Sequence, residues 1–159
     1  MNRNRYWLAL AATAACALAL SGCAPEKALT DEEAYQRFVG TWMNTEYAGT
    51  PEQVQVTVVK PDHVGEDYPL PDSANPSAQW KFLVQKTWTD EKGGTYCQYI
   101  APSVRNPGWL NAWLMRVDKA RKVLEFQYGG YDVSEAALKF PQTVDPNDSQ
   151  RYTILYRKK

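Results

Sequence analysis

Two β-strands joined by a short polar turn are predicted by residues 109–128, WLNAWLMRVDKARKVLEFQY. Apolar side chains recur at even spacing on both sides of the turn: Trp109, Trp113, Met115 and Val117, then Leu124, Phe126 and Tyr128. A period of two places alternate side chains on opposite faces of a sheet. The stretch therefore predicts an antiparallel hairpin with one buried face.

The same alternation continues on both sides of this hairpin, from Gly40 to the end of the chain. It predicts eight strands, over residues 40–46, 53–60, 64–69, 78–89, 95–101, 109–117, 122–128 and 151–157. Glycine and proline in the links favour turns. Closing such short strands into a barrel removes the unpaired edges of an open sheet. We therefore predict a mainly β fold, an eight-stranded antiparallel up-and-down barrel.

A short helix is predicted before the first strand. Thr30 is followed three residues later by Glu33, which is the spacing of a capping box, so the helix should run over residues 31–38. Tyr35, Phe38 and Val39 would face the body of the domain.

The first 22 residues, MNRNRYWLALAATAACALALSG, have the organisation of an export signal. Two arginines precede an apolar segment over residues 6–20, which is short for a bilayer span. Residues 20–23, LSGC, resemble the lipobox of bacterial lipoproteins. The resemblance implies cleavage between Gly22 and Cys23 and a diacylglyceryl group on the Cys23 thiol. An ordinary secretory signal with a chance cysteine and an uncleaved anchor are the alternatives.

This resemblance divides the chain into a signal peptide, residues 1–22, a lipidated tether, 23–29, and a barrel domain, 30–159. Membrane lipid would be the first partner, because acyl chains on Cys23 anchor the protein to a bilayer. Ala24 is not the aspartate that retains such lipoproteins at the inner membrane. In a Gram-negative cell, the resemblance implies an outer-membrane position facing the periplasm.

Residues 38–42, FVGTW, resemble the lipocalin and lipocalin-like barrels, in which a short helix leads into Gly-x-Trp on the first strand. The resemblance implies that Trp42, two residues after Gly40, closes one end of the barrel and that an arginine stacks on it. Arg157 is the candidate. Residues 86–93, 144–148 and 152–157 are similar to a bacterial lipocalin-like lipoprotein family of unassigned function.

Several functions find no support in the residues. The 18 basic residues are balanced by 18 acidic ones, which disfavours a nucleic-acid partner. His63 is the only histidine and Cys97 the only cysteine beyond the lipobox, so neither a zinc site nor a thiol–histidine pair is expected. Cys97 should be a buried apolar residue. Glu66 and Asp67 should diverge, since adjacent strand residues point to opposite faces. We predict no enzyme, metal or cofactor; an uncharacterised hydrolase is the weak alternative.

The candidate ligand-contacting residues are aromatic, together with one lysine. Tyr99, Trp109, Trp113 and Tyr128 would form an apolar pocket at the barrel mouth or, alternatively, part of a filled core. Lys86 falls in the inward phase of its strand, where a buried ammonium marks an internal ion pair or an anionic-ligand site.

Two functions follow from these candidates. The first is a binding module that holds a small apolar or amphipathic ligand in the barrel. The second is an interaction module with a filled barrel, which contacts an envelope enzyme or assembly complex.

Overall fold

The computed structural model describes residues 28–44, 56–103 and 105–158. In these ranges the chain forms one short α-helix, one 3-10 helix (Glu135–Ala137) and nine strands: α1 (Asp31–Tyr35), β1 (Gly40–Met43), β2 (Val56–Val59), β3 (Val64–Tyr68), β4 (Ala78–Lys81), β5 (Leu83–Thr89), β6 (Thr95–Pro102), β7 (Leu110–Val117), β8 (Val123–Val133) and β9 (Tyr152–Arg157). The predicted signal peptide and Cys23 lie outside the described residues. Within those residues, no helix has the length and apolar character needed to cross a bilayer.

All nine described strands belong to one antiparallel sheet in the order β4-β3-β2-β1-β9-β8-β7-β6-β5. Its two edge strands, β4 and β5, are separated in the chain by Phe82 alone. The two edges therefore meet, and the sheet is nearly closed into a barrel. The predicted mainly β, antiparallel, barrel-like fold is confirmed, whereas the predicted number of eight strands is wrong.

The extra strand arises because the segment predicted as one strand, residues 78–89, is interrupted at Phe82. Its first part pairs with β3 and its second part with β6. The Phe82 amide donates to the carbonyl of His63 at 2.7 Å, and its side chain is buried against Tyr99 with ring centroids 4.5 Å apart. The chain thus changes partner at the corner where the sheet closes.

A β-bulge follows in β5. Val84 pairs with Tyr99 and Lys86 with Gln98, so Gln85 is the extra residue. A bulge shifts the alternation of side chains by one position. Beyond it Thr87 faces inward, opposite the buried Cys97, and Lys86 faces outward.

Helix α1 covers one end of the barrel. The predicted capping box is present: the Thr30 side chain accepts from the Glu33 amide, and the Glu33 carboxylate accepts from the Thr30 amide. The regular helix ends at Tyr35, before the predicted residue 38, and continues as a turn. Tyr35 and Phe38 are fully buried in the core. The Arg121 guanidinium donates to carbonyls just after the helix, which ties the β7–β8 turn to this closed end.

The link between β8 and β9 packs on the outside of the barrel. The buried Gln98 side chain donates to the carbonyl of Pro141 at 3.0 Å, and the Gln127 side chain accepts from the Asp145 amide at 2.9 Å. The preceding strand was predicted over residues 122–128, but β8 continues to Val133. A Cβ atom on Gly129 would lie 1.9 Å from the Lys139 carbonyl oxygen, so this glycine permits the link to approach the strand.

Candidate ligand-binding cavity

An open cavity of about 370 Å³ lies inside the barrel at the end away from α1. Side chains and backbone from seven described strands and their links surround it. The lining residues are Asn44, Thr57, Asp67, Ala78, Gln79, Trp80, Tyr99, Ala101, Pro102, Asn111, Trp113, Phe126, Tyr128, Tyr131, Thr153 and Leu155. This space is hereafter the barrel cavity. Its position has a simple cause. Helix α1 covers the inward-facing residues at one end of the strands, and the inward-facing residues at the other end are left uncovered.

Aromatic rings form a connected wall of the barrel cavity. The Trp113 ring lies parallel to that of Tyr99 with centroids 6.1 Å apart, and it contacts Tyr128 with centroids 3.5 Å apart. Tyr128 in turn meets Tyr131 edge to face at 6.4 Å. Trp80 extends the wall on the other side of Tyr99, because its ring meets Phe82, which in turn meets Tyr99. Such rings present a large apolar surface with phenol hydroxyls as polar groups.

Asp67 is the one Asp, Glu, Lys, Arg or His side chain among the described residues that line the barrel cavity. It lies on β3 opposite Thr57 of β2, whose hydroxyl donates to Asp67 Oδ1 at 2.6 Å. Burial raises the pKa of Asp67 to about 7, and the Thr57 hydrogen bond opposes that rise. An isolated carboxylate inside an apolar cavity is costly, which is the cause of the raised pKa.

Glu66, the neighbour of Asp67, points to the other face of the sheet. Its carboxylate accepts from Lys60 at 2.6 Å, Tyr68 at 2.9 Å and Gln79 at 2.8 Å, and the bonds from Lys60 and Tyr68 are the main reason that the pKa of Glu66 is lowered. The prediction that Glu66 and Asp67 diverge is confirmed. The two carboxylates therefore do not form a paired acid–base site.

The remaining polar groups of the cavity are uncharged at neutral pH. Burial raises the pKa of Tyr128 to about 12 and that of Tyr99 well above its usual value, so both phenols keep their protons. Asn111 is buried, and its Oδ1 accepts from the Asp132 amide at 2.8 Å. The cavity thus offers hydroxyl and amide groups around a single ionisable carboxyl.

Three of the five predicted pocket residues line the barrel cavity: Tyr99, Trp113 and Tyr128. Lys86 does not, because the bulge at Gln85 turns it outward. There its ammonium lies 5.5 Å from the Trp88 ring centroid on the outer face, and the side chain is exposed. The expectation of an inward lysine, and of an anionic-ligand site built on it, is therefore wrong.

Trp109 also lies apart from the barrel cavity. Strand β7 begins only at Leu110, and Trp109 is 47% exposed in the preceding turn, where its amide donates to the Asn106 carbonyl. The alternation predicted from Trp109 onward is wrong at its first member, since the strand begins one residue later. The inward positions of β7 are instead Asn111, Trp113 and Met115.

Asp67 and Trp80 are two of the cavity residues that the sequence analysis did not place in the pocket. The inward positions of β3 are Gly65 and Asp67, so no apolar alternation marks this strand. Trp80 lies against Gly65, where a Cβ atom would come within 2.5 Å of the indole ring. One signal for Asp67 was available in the sequence. It lies two residues after Gly65 and so on the same face of the strand, and Gly65 leaves room for the Trp80 ring.

Gly40, Trp42 and Arg157 meet at the closed end, away from the barrel cavity. The Arg157 guanidinium carbon lies 4.9 Å from the Trp42 ring centroid, and Trp42 Nε1 donates to the Phe38 carbonyl at 2.8 Å. A Cβ atom on Gly40 would lie 2.5 Å from this guanidinium, and its φ of +150° also favours glycine. The three residues hold the first and last strands together under the core.

The described residues contain no group of three or more His, Cys, Asp or Glu side chains arranged to hold a metal ion. His63 Nε2 lies 3.0 Å from a Glu32 carboxylate oxygen, and its ring stacks on Tyr35 at 4.0 Å.

Cys97 is fully buried, and burial raises the pKa of its thiol to about 12. The thiol is therefore protonated, as expected for a cysteine that acts as an apolar core residue.

Comparison with known proteins gives no match: no protein-family model, no curated protein and no solved structure is detectably similar to this chain. The class that the fold defines is thus a nearly closed antiparallel barrel with an open, aromatic interior. The lipocalin-like resemblance and the lipobox stay predictions.

Proposed function

We propose that this protein is a lipid-anchored binding protein of the cell envelope that holds one small apolar or amphipathic ligand in the barrel cavity. The observation that carries the proposal is the open space of about 370 Å³ inside the sheet. Small-molecule sites typically occupy about 300–1,000 Å³ and are lined by aromatic and apolar side chains with a few polar groups. The barrel cavity has both the size and the composition of such a site.

The filled-barrel alternative has less support. A barrel that acts only through its outer surface is expected to pack its interior with its own side chains. Here, by contrast, Tyr99, Trp113 and Tyr128 line open space. Large side chains exposed on the described surface, such as Trp109 and Tyr131, would suit a contact with another protein, but they leave the interior space without a role.

The envelope location rests on the N-terminal segment. Residues 1–22 have the features of an export signal, and residues 20–23 match the lipobox pattern at every position. Acyl chains on Cys23 would keep the barrel at a membrane surface, since each buried methylene contributes about 0.8 kcal/mol. We therefore include lipid anchoring, on the periplasmic face of the outer membrane, in the proposal.

The experiment is native mass spectrometry of the protein purified from its own envelope in mild detergent. We expect an added mass that is lost on denaturation. Ala101→Phe directs an aromatic ring into the barrel cavity, because Ala101 is a buried lining residue, and should abolish the added mass. Ile100→Phe, on the outward face of the same strand, is the matched control and should retain it. An unliganded wild type in repeated preparations, or equal retention by both variants, would contradict the proposal.

A further inference from the structure

We infer that the ligand of the barrel cavity carries a positively charged amine, which is received by the Asp67 carboxylate within the aromatic wall. The inference rests on the proposed function and specifies the chemical class of its ligand. Trp80, Tyr99, Trp113 and Tyr128 would surround the cationic end of this ligand.

The distribution of charge is the first reason. Of the described residues that line the barrel cavity, Asp67 alone is an Asp, Glu, Lys, Arg or His, so the cavity has one carboxyl and no basic side chain. A carboxylate in an apolar interior normally has a cationic partner, because an unpaired buried charge is costly. The described residues supply no such partner to Asp67, so a cationic ligand would complete the pair.

The hydrogen bonding of Asp67 is the second reason. In the described part of the chain, the Thr57 hydroxyl is the one donor to this carboxylate, at 2.6 Å from Oδ1. A carboxylate has about four acceptor positions on its two oxygens. Glu66, one residue away, receives three donors on the outer face. Asp67 therefore retains acceptor capacity toward the cavity, which an ammonium group would use.

The aromatic wall is the third reason. Cations are attracted to the faces of indole and phenol rings, and a carboxylate combined with such rings is a known means of recognising amines. Trp113 and Tyr128 are in contact, and Tyr99 lies parallel to Trp113 at 6.1 Å. These electron-rich faces would stabilise an ammonium group and disfavour an anion. The chemistry is the reverse of the anionic-ligand site that an inward Lys86 would have formed.

Titration of Asp67 supplies a readout. The titratable groups that share the barrel cavity with it are the phenols of Tyr99, Tyr128 and Tyr131, from β6 and β8, while β2 contributes Thr57 and β4 contributes Ala78 and Gln79. With the pKa of Asp67 near 7, the free carboxyl loses its charge below neutral pH. Since a cation binds the ionised form, the affinity of a permanently charged ligand should fall roughly tenfold from pH 8 to pH 6.

The test compares three probes of similar size: 2-phenylethylamine, 2-phenylethanol and phenylacetate. Binding to the mature protein is measured by calorimetry and by tryptophan fluorescence at pH 8. We expect the amine to bind at least about tenfold more tightly than the alcohol, and phenylacetate to bind most weakly. Asp67→Asn should remove the preference for the amine, whereas Glu66→Gln, on the outer face of the same strand, should retain it.

A second measurement uses benzyltrimethylammonium, whose charge does not depend on pH. Its affinity should fall between pH 8 and pH 6 in the wild type and in Glu66→Gln, and should be independent of pH in Asp67→Asn.

Equal binding of amine and alcohol, tighter binding of phenylacetate, or no binding of any probe would overturn the inference about charge. None of these results bears on whether native mass spectrometry detects a ligand in the purified protein. The failure of this inference is therefore distinguishable from the failure of the proposed function.

Discussion

Asp67 makes the stability of this protein depend on pH in an unusual direction. Its pKa is about 7 in the folded state, against an ordinary value of 3.8. Between these values the folded protein holds a proton that the unfolded chain releases, so protons favour folding over that window. The contribution of this group to stability is therefore largest below about pH 4 and decreases as the pH rises to about 7.

The Asp67→Asn variant tests this dependence. Asparagine is uncharged at every pH and keeps an acceptor oxygen for Thr57. Relative to the wild type, we expect the free energy of unfolding of the variant to rise by roughly 2–4 kcal/mol between pH 4 and pH 8. Urea denaturation at pH 4, 6 and 8 provides the measurement. A difference between variant and wild type that is constant over this range would be inconsistent with a raised pKa of Asp67 in the folded protein.

Glu66→Gln is the control at the residue scale and should behave in the opposite sense. The pKa of Glu66 is lowered by its bonds to Lys60 and Tyr68, so its contribution to stability is present at neutral pH and is lost on acidification. The variant should therefore be less stable than the wild type at pH 8 and pH 6, with the difference shrinking only once the pH falls below about 4.5.

Individual residues also mark the limit of what the sequence could predict about the site. Tyr99, Trp113 and Tyr128 were predicted because aromatic residues in phase on a strand occupy the interior. Asp67 was considered only as half of a carboxylate pair, because its spacing of two from Gly65 puts both residues on one face without showing which face is inward. Its inward position depends on pairing with Thr57 across two strands.

At the scale of elements, the interruption at Phe82 is what closes the sheet. Phe82 is 1% exposed and packs against Tyr35, Trp80 and Tyr99, whereas the next residue, Leu83, is 42% exposed. Neighbouring residues in one segment thus have opposite roles, one at the corner of the barrel and one on its surface.

We predict that Phe82→Ala lowers the free energy of unfolding by roughly 3–5 kcal/mol, because it leaves a cavity between two aromatic layers. Leu83→Ala, the matched control, should cost less than about 1 kcal/mol. Urea denaturation monitored by circular dichroism measures both. If Phe82→Ala is too unstable to fold, Phe82→Leu should give a smaller loss of the same sign. Equal effects at the two positions would contradict the assignment of Phe82 to the corner.

A regular apolar pattern predicts where strands lie better than it predicts which face of each strand points into the barrel. The period-two pattern located the strands but merged β4 and β5 into one, and it placed Lys86 inward because the bulge at Gln85 has no local signature. In β9, Tyr152, Ile154 and Tyr156 do share one face, yet Leu155 is the residue in the core. In β2, similarly, Val56 and Val58 alternate, yet the residue in the core cluster is Val59. When a strand has apolar residues on both faces, its sequence alone does not show which face is inward. The pairing with neighbouring strands decides it.

At the scale of the whole molecule, the start of α1 and the cavity mouth lie at opposite ends of the barrel. Helix α1 covers the closed end, and the barrel cavity lies at the other. If Cys23 is acylated, residues 23–29 can span at most about 25 Å of extended chain. The closed end would then lie near the bilayer, and the barrel cavity would open at the far end. A ligand would enter from the aqueous side under this arrangement.

Lipid anchoring itself has a direct test in cells. Globomycin, which blocks the peptidase that processes lipoproteins, should cause an uncut precursor to accumulate. Cys23→Ser should prevent acylation and release the protein from the membrane fraction, while Cys16→Ser, within the predicted signal peptide, is the control and should behave like the wild type. Membrane fractionation and the mass of the mature N-terminus provide the measurements. Unchanged processing and membrane association of Cys23→Ser would rule out the lipoprotein assignment.

The most direct test of the central claim is a crystal structure of the mature protein grown with 2-phenylethylamine. We predict electron density for the ligand inside the barrel cavity, with its ring against Trp113 or Tyr99 and its nitrogen about 2.7–3.2 Å from an Asp67 oxygen. An interior filled by the protein's own side chains, or a ligand bound only on the outer surface, would contradict the account.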